Sequence, residues 1–195
     1  MRARDRILDA AAEIMRAEGI ARATTKEIAR VAGCSEALLY KNFADKSQLF
    51  VAVLQERAPG LGEVLAGLPD RAGSATVRQN LTDVVRGGLD FYLATFPMAA
   101  GLFSDRALLD AHRARLAELG VGPEQVNTWV AEYLRREQSL GRVTPDADAD
   151  SAASLLLGAC LQRAFFARMS GQDAVDAGAE ADRLVAVLCN GLVRV

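Results

Sequence analysis

The sequence predicts an all-α protein: a small N-terminal three-helix domain over residues 1–46, and a larger helical domain over residues 47–195. Two observations carry that expectation. Apolar residues recur at helical spacing between breaks, with Ser, Thr or Asp before many segments and Gly or Pro after them. Period-2 alternation and β-branched clusters, the marks of strands, are missing. With 195 residues, 51% of them hydrophobic, the chain has enough apolar material for a proper core.

Ile7, Leu8, Ala11, Ile14 and Met15 share one helical face, and Gly19 stands where a C-terminal cap belongs. Thr24 followed three places later by Glu27 has the form of a capping box, so a second helix starts near Thr25 and stops at Gly33. Ser35 caps a third helix through Phe43. Ala44 or Asp45 precedes a fourth, which carries Leu49, Phe50, Val53 and Leu54 before Pro59 and Gly60 break it. Residues 59–74 read as a connector with one helical turn near Val64 and Leu65. Longer helices are expected at about 75–95, 97–104, 105–119, 123–139, 147–169 and 173–193.

Composition excludes several classes. A quarter of the residues are charged and 6% are aromatic, which suits neither a disordered chain nor a disulfide scaffold. Cys34, Cys160 and Cys189 are widely spaced and odd in number, so they read as reduced thiols rather than disulfides or a zinc site. The first residues alternate basic, acidic and apolar types in helical fashion, unlike a signal peptide, and the expected compartment is the cytoplasm. Residues 1–58 hold ten Lys or Arg against eight Asp or Glu, whereas residues 59–195 hold 13 against 17. That asymmetry is a weak sign of a nucleic-acid partner at the N-terminal end.

The second and third helices are joined by Gly33, Cys34 and Ser35, the length of the turn in a helix-turn-helix. Ala29 is small enough for a steep helix crossing, Gly33 accepts positive φ, and Cys34 plugs the turn from beneath. With Leu39 and Phe43 inward, Ala37 and Lys41 face outward and Leu38 and Tyr40 flank them. Apolar residues on an outward face suit thymine methyl groups in a major groove. In this arrangement Lys41 or Asn42 reads a base edge or holds a phosphate, and Tyr40 and Lys46 contact phosphates. The helix start at Thr24 and Thr25 offers amides to a further phosphate.

The stretch "ATTKEIARVAGCSEALLYKNFADKSQLF", residues 23–50, resembles the N-terminal DNA-binding region of the TetR family of transcriptional regulators. The likeness rests on the Thr before the second helix, Ile28-Ala29, Ala32-Gly33, Ser35, Leu39-Tyr40 with Phe43, Lys46, and Leu49-Phe50. It covers the first quarter strongly and the rest in layout. The resemblance implies a homodimer, an all-helical fold and a recognition helix over about Glu36–Asn42. Two residues depart from the family pattern. Cys34 stands where valine is usual, and Glu36, where lysine is frequent, brings a carboxylate near the phosphates that either accepts from a cytosine amino group or only weakens nonspecific binding.

In the larger domain, "SAASLLLGACLQRAFF" and "RLVAVLCNGLV" are apolar around most of the helix yet too short and interrupted to span a membrane. One face is expected to meet the core and another a second copy of the chain. Leu155, Gly158, Ala159, Leu184 and Leu188 are the candidate dimer-interface residues of a four-helix bundle. Candidate contacts to a small, mostly apolar effector are Tyr92, Phe96, Phe103, Trp129, Tyr133, Gln162 and Phe166. Arg163 can pair either an acidic ligand or a carboxylate across the dimer.

An enzyme finds little support. His112, in "LLDAHRARLAEL", is expected on a solvated helical face, and no phosphate loop, metal-ligand cluster or cofactor motif stands out. Asp146, Asp148 and Asp150 read as helix-start charges rather than cation ligands. The expected function is a ligand-responsive repressor that binds a palindromic double-stranded DNA operator and releases it when a small, mostly apolar effector binds, with thiol oxidation at Cys34 as the alternative switch.

Overall fold

The computed structural model describes residues 2–58, 61–120, 122–171 and 175–190, and every regular element among them is helical. In chain order α1 spans Ala3–Glu18, α2 Thr25–Val31, α3 Glu36–Asn42, α4 Lys46–Arg57 and α5 Leu61–Ala66. Then come α6 Val77–Ala100, α7 Arg106–Glu118, α8 Gln125–Ser139, α9 Ala149–Met169 and α10 Ala177–Asn190, with 3-10 turns at Pro69–Arg71 and Gly101–Ser104. The end of the last helix expected from sequence, residues 191–193, lies outside the described residues.

Side chains start most of these helices. Thr24, Ser35, Asp45, Asp105 and Asp148 each accept a hydrogen bond from a first-turn backbone N–H, worth about 1 kcal/mol apiece. Ser151 and the adjacent amides hold the Asp148 carboxyl below its usual range. A full capping box forms at Thr76 and Gln79, where each side chain bonds the other residue's N–H. The box expected at Thr24 and Glu27 forms only by half. Thr24 Oγ1 accepts from Glu27 N at 3.2 Å, but the Glu27 carboxylate turns to Arg30, at 2.6 and 2.9 Å.

One expected break is absent. The sequence predicts separate helices at 75–95 and 97–104, yet α6 continues through Pro97 to Ala100. Proline removes the N–H that would bond the carbonyl four residues earlier. That carbonyl, Leu93 O, accepts from Arg168 Nη2 at 2.8 Å, so the helix passes the proline without leaving the group bare.

The chain packs as two units, residues 1–58 with 94–122, and residues 59–93 with 123–195. The division expected after residue 46 differs from this packing, because Leu49, Phe50 and Val53 of α4 are buried in one core with Ile7, Leu8, Ile28 and Leu39. Met98, near the end of α6, joins that same core. The second unit buries Leu65, Leu81, Val84, Tyr133, Leu157 and Val185 together. Here α6 and α9 approach closely: a β-carbon at Gly88 would stand 3.2 Å from Cys160 Sγ. Burial pushes the Cys160 thiol up to about 12, so it stays protonated and inert.

His112 also departs from expectation. It is half-buried on α7, with its ring 5.2 Å from that of Phe50, and its Nδ1 is buried without a hydrogen-bond partner. Burial lowers its pKa from the ordinary value. No helix among the described residues is long and apolar enough to cross a membrane.

Candidate nucleic-acid interface

The link from α2 to α3 is built mainly of backbone bonds. Cys34 N donates to Ala29 O at 2.9 Å and Gly33 N to Arg30 O at 3.2 Å, while Gly33 takes a φ of +63° that L side chains resist. Ser35 then caps α3 by accepting from Leu38 N at 3.2 Å. Cys34 is half-buried against the first core, as a plug beneath the turn should be. Leu39 and Phe43 are buried on the inner side of α3, which leaves Ser35, Glu36, Ala37, Tyr40 and Lys41 exposed. Leu38 and Asn42 are intermediate. Tyr40, 50% exposed, is the large group on this face.

Several of these side chains already have partners. Thr25 Oγ1 lies 3.3 Å from Glu36 Oε2 and 3.3 Å from Tyr40 Oη, so the start of α2 is tied to α3. The Glu36 carboxylate accepts from a neighbouring hydroxyl, so it turns along the protein as well as toward solvent. Asn42 Nδ2 donates to Leu38 O at 2.7 Å, leaving its side-chain oxygen as the open group. Lys46 Nζ donates to Ala21 O at 3.0 Å, and its part-burial lowers its pKa against the opposing pull of Asp105. Arg22 and Lys26 are exposed beside Thr24 and Thr25. Their places around the α2 N-cap are the signal in the sequence for two further phosphate contacts.

The candidate effector residues are shared between the two units. Phe96 and Phe103 belong to the first unit, and Phe103 is 79% exposed on a 3-10 turn. In the second unit Tyr92 and Trp129 pack half-buried against the core, whereas Gln162 and Phe166 are exposed. Tyr133 is wholly buried. Its hydroxyl accepts from Asn80 Nδ2 at 3.0 Å, and burial pushes its pKa up to about 12. Arg163 pairs within the chain, its Nε 2.9 Å from Glu180 Oε1 of α10, although the N–H is not aligned for a hydrogen bond.

The candidate interface residues differ in exposure. Leu155 is 70% exposed and Gly158 is open, while Ala159 is half-buried and Leu184 and Leu188 pack on their own core. Leu161, Phe165 and Met169 continue the exposed apolar face of α9 at helical spacing, and Val187 is exposed on α10. The sequence reading did not single these out, because an all-round apolar helix does not show which side its own fold covers.

Residues 7–53 match the family model described as bacterial regulatory proteins, tetR family, and residues 100–189 match that of the AefR-like transcriptional repressor C-terminal domain. The chain is 42% identical over 60 residues to the HTH-type transcriptional regulator YvkB of Bacillus subtilis (strain 168), a match spanning 31% of this chain and 32% of that protein. Thus it aligns with about a third of the length of that curated relative. Its fold is similar to the transcriptional regulator FadR from Bacillus subtilis in complex with stearoyl-CoA, with a TM-score of 0.72 at 17% identity, covering 97% of this chain and 99% of that one. SmeT, the repressor of the Stenotrophomonas maltophilia multidrug efflux pump SmeDEF, shares the fold with a TM-score of 0.68 at 19% identity, covering 96% and 88%. With a helix-turn-helix at its N-terminus and both family models matched, the chain belongs to the TetR family of DNA-binding transcriptional regulators.

Proposed function

We propose that the chain is a homodimeric repressor that holds a roughly palindromic operator through α3 and releases it when a small, mostly apolar molecule binds the second unit. The observation that carries this reading is the outward face of α3. Ala37, Tyr40 and Lys41 are exposed there while Leu39 and Phe43 fix the helix from behind. A methyl, a phenol and an ammonium suit a major groove, where thymine methyls, phosphates and base edges lie within reach. Residues 1–46 are the DNA-reading part and residues 47–195 the ligand-binding and dimerising part, with α4 as the lever between the two roles.

The exposed face of α9 supports pairing with a second copy, since Leu155, Leu161 and Met169 put apolar surface in water without that cover. Two recognition helices then enter successive major grooves only when held about 34–36 Å apart. An effector acts by binding one head spacing better than the other. The stearoyl chain of the ligand in the FadR structure supports an effector with a large apolar part, and the SmeT repressor supports a repressing role.

Selection of random duplexes by purified protein at near-physiological salt tests this reading. An enriched two-fold palindrome with half-sites about one helical turn apart is expected. Binding that enriches no sequence and vanishes as salt rises would contradict it. In the same assay, loss of binding in peroxide, restored by thiol and absent in Cys34→Ser, would instead favour the oxidation switch.

A further inference from the structure

A cavity of about 360 Å³ lies within the second unit, among the start of α6, the end of α8, the loop after it, the start of α9 and the end of α10. Its walls are mostly apolar: Val77, Leu81, Leu134, Val143, Ala152 and Leu188. None of the aromatic residues expected to touch an effector lines it. Leu81 and Tyr92 are eleven residues apart on one helix, roughly 16 Å at 1.5 Å per residue.

The walls are held before any ligand arrives. Gln138 Nε2 donates to Thr144 O at 2.9 Å and to Ala147 O at 2.8 Å, so the loop closing one side is pinned to α8. Backbone bonds from Arg142 and Val143 to Glu137 O, at 2.9 and 3.3 Å, fix the same loop at its root. A cavity whose walls are already ordered spares a ligand much of the entropy cost of binding.

The lining also selects a chemical class. Arg142 is its one charged residue among those described. Its Nε lies 3.2 Å from the carboxylate of the fully buried Glu137, and its Nη2 donates to Ala75 O at 2.5 Å. The charge is therefore largely cancelled inside the protein, and a charged ligand would have to surrender its own hydration for little return. Arg142 still has a further N–H to give, and Thr144 and Cys189 add weaker polar groups. We propose that this cavity is a ligand site of the second unit and takes a small, neutral, mostly apolar molecule carrying one hydrogen-bond acceptor, as an aryl ketone does. The proposal rests on the regulator reading and supplies its effector class. α6 links the site to the first unit by chain continuity, carrying Val77 and Leu81 at one end and the core residue Met98 at the other.

The probe is prodan, a neutral naphthyl ketone whose emission shifts to the blue in apolar surroundings, titrated into the full-length protein. Saturable binding is expected, and the analogue with the ketone reduced to methylene should bind about fivefold to tenfold more weakly. Ala152→Phe and Ala147→Phe, which fill the cavity from α9 and from the loop, should each weaken prodan at least about tenfold. Thermal melts verify that both variants are folded. Alkylation of Cys189, followed peptide by peptide, should slow severalfold at saturating prodan while Cys34 reacts as before. Undiminished binding in both folded variants, or Cys189 alkylation unchanged at saturation, would overturn the assignment, as would no binding at the probe's solubility limit. Duplex selection does not involve the probe, so failure here with a palindrome still enriched rejects the cavity and leaves the regulator reading standing.

Discussion

The hydroxyls of Thr25 and Tyr40 lie 3.3 Å apart, which ties the first turn of α2 to the outward face of α3. An exposed bond of this kind contributes at most about 1 kcal/mol to stability. Tyr40→Phe should therefore leave the melting temperature nearly unchanged yet weaken binding to every duplex alike, because a hydroxyl on a phosphate carries no base information. Anisotropy titrations against the selected operator and a scrambled duplex measure both effects. A change in the ratio of the two affinities would assign Tyr40 to base reading instead.

The face of α9 that holds Leu161 and Met169 is exposed, Met169 at 73%. Leu161→Glu should leave the monomer folded, since it enters no buried site, and should break the proposed homodimer by placing carboxylates in the apolar face that is proposed to pair. Sedimentation equilibrium at micromolar protein reads the change from dimer to monomer, and operator affinity should fall with it.

How much of this was legible in sequence varies with how local the signal was. Caps and turns are encoded by a few neighbouring residues, so the starts of α2, α3, α4 and α9 were visible at Thr24, Ser35, Asp45 and the acidic run through Asp148. The inward and outward sides of α3 followed from Leu39 and Phe43 at i and i+4. What depended on distant partners was hidden. Pro97 read as a break because the Arg168 that covers Leu93 O is far along the chain. His112 read as solvated because its charged neighbours in sequence gave no hint of Phe50. A cavity formed mainly by small aliphatic residues from four helices and a loop has no sequence signature, because its lining residues are far apart along the chain.

The Arg168 bond to Leu93 O should matter chiefly because of Pro97. Arg168→Ala is expected to cost about 1 kcal/mol in the otherwise unchanged chain. In a Pro97→Ala background, where the helix supplies its own N–H, the same change should cost about half of that or less. Urea denaturation of the four proteins closes the cycle, and equal costs in both backgrounds would show that the bond does not compensate the proline.

His112 sets a pH dependence whose sign follows from its burial. The folded protein resists protonating the imidazole, while the unfolded chain takes up the proton near the ordinary value of 6.5. Its contribution is therefore fully present above 6.5 and is lost as the pH falls below that value and through the lower folded one. His112→Phe keeps a ring against Phe50 and removes the titration. Stability measured from pH 7.5 down to pH 5 should fall less steeply in the variant, and identical slopes would contradict the assignment.

In the proposed function the outward face of α3 reads bases. The most direct measurement is a parallel selection of random duplexes by the wild-type protein and by Ala37→Ser, whose side chain is exposed and whose change leaves the core untouched. If α3 enters the major groove, the preferred base at one position of each half-site should shift, with about 1–3 kcal/mol of discrimination moved from one base pair to another. If both proteins enrich the same sequence with the same strength, Ala37 faces no base and the placement of this face in the major groove is wrong.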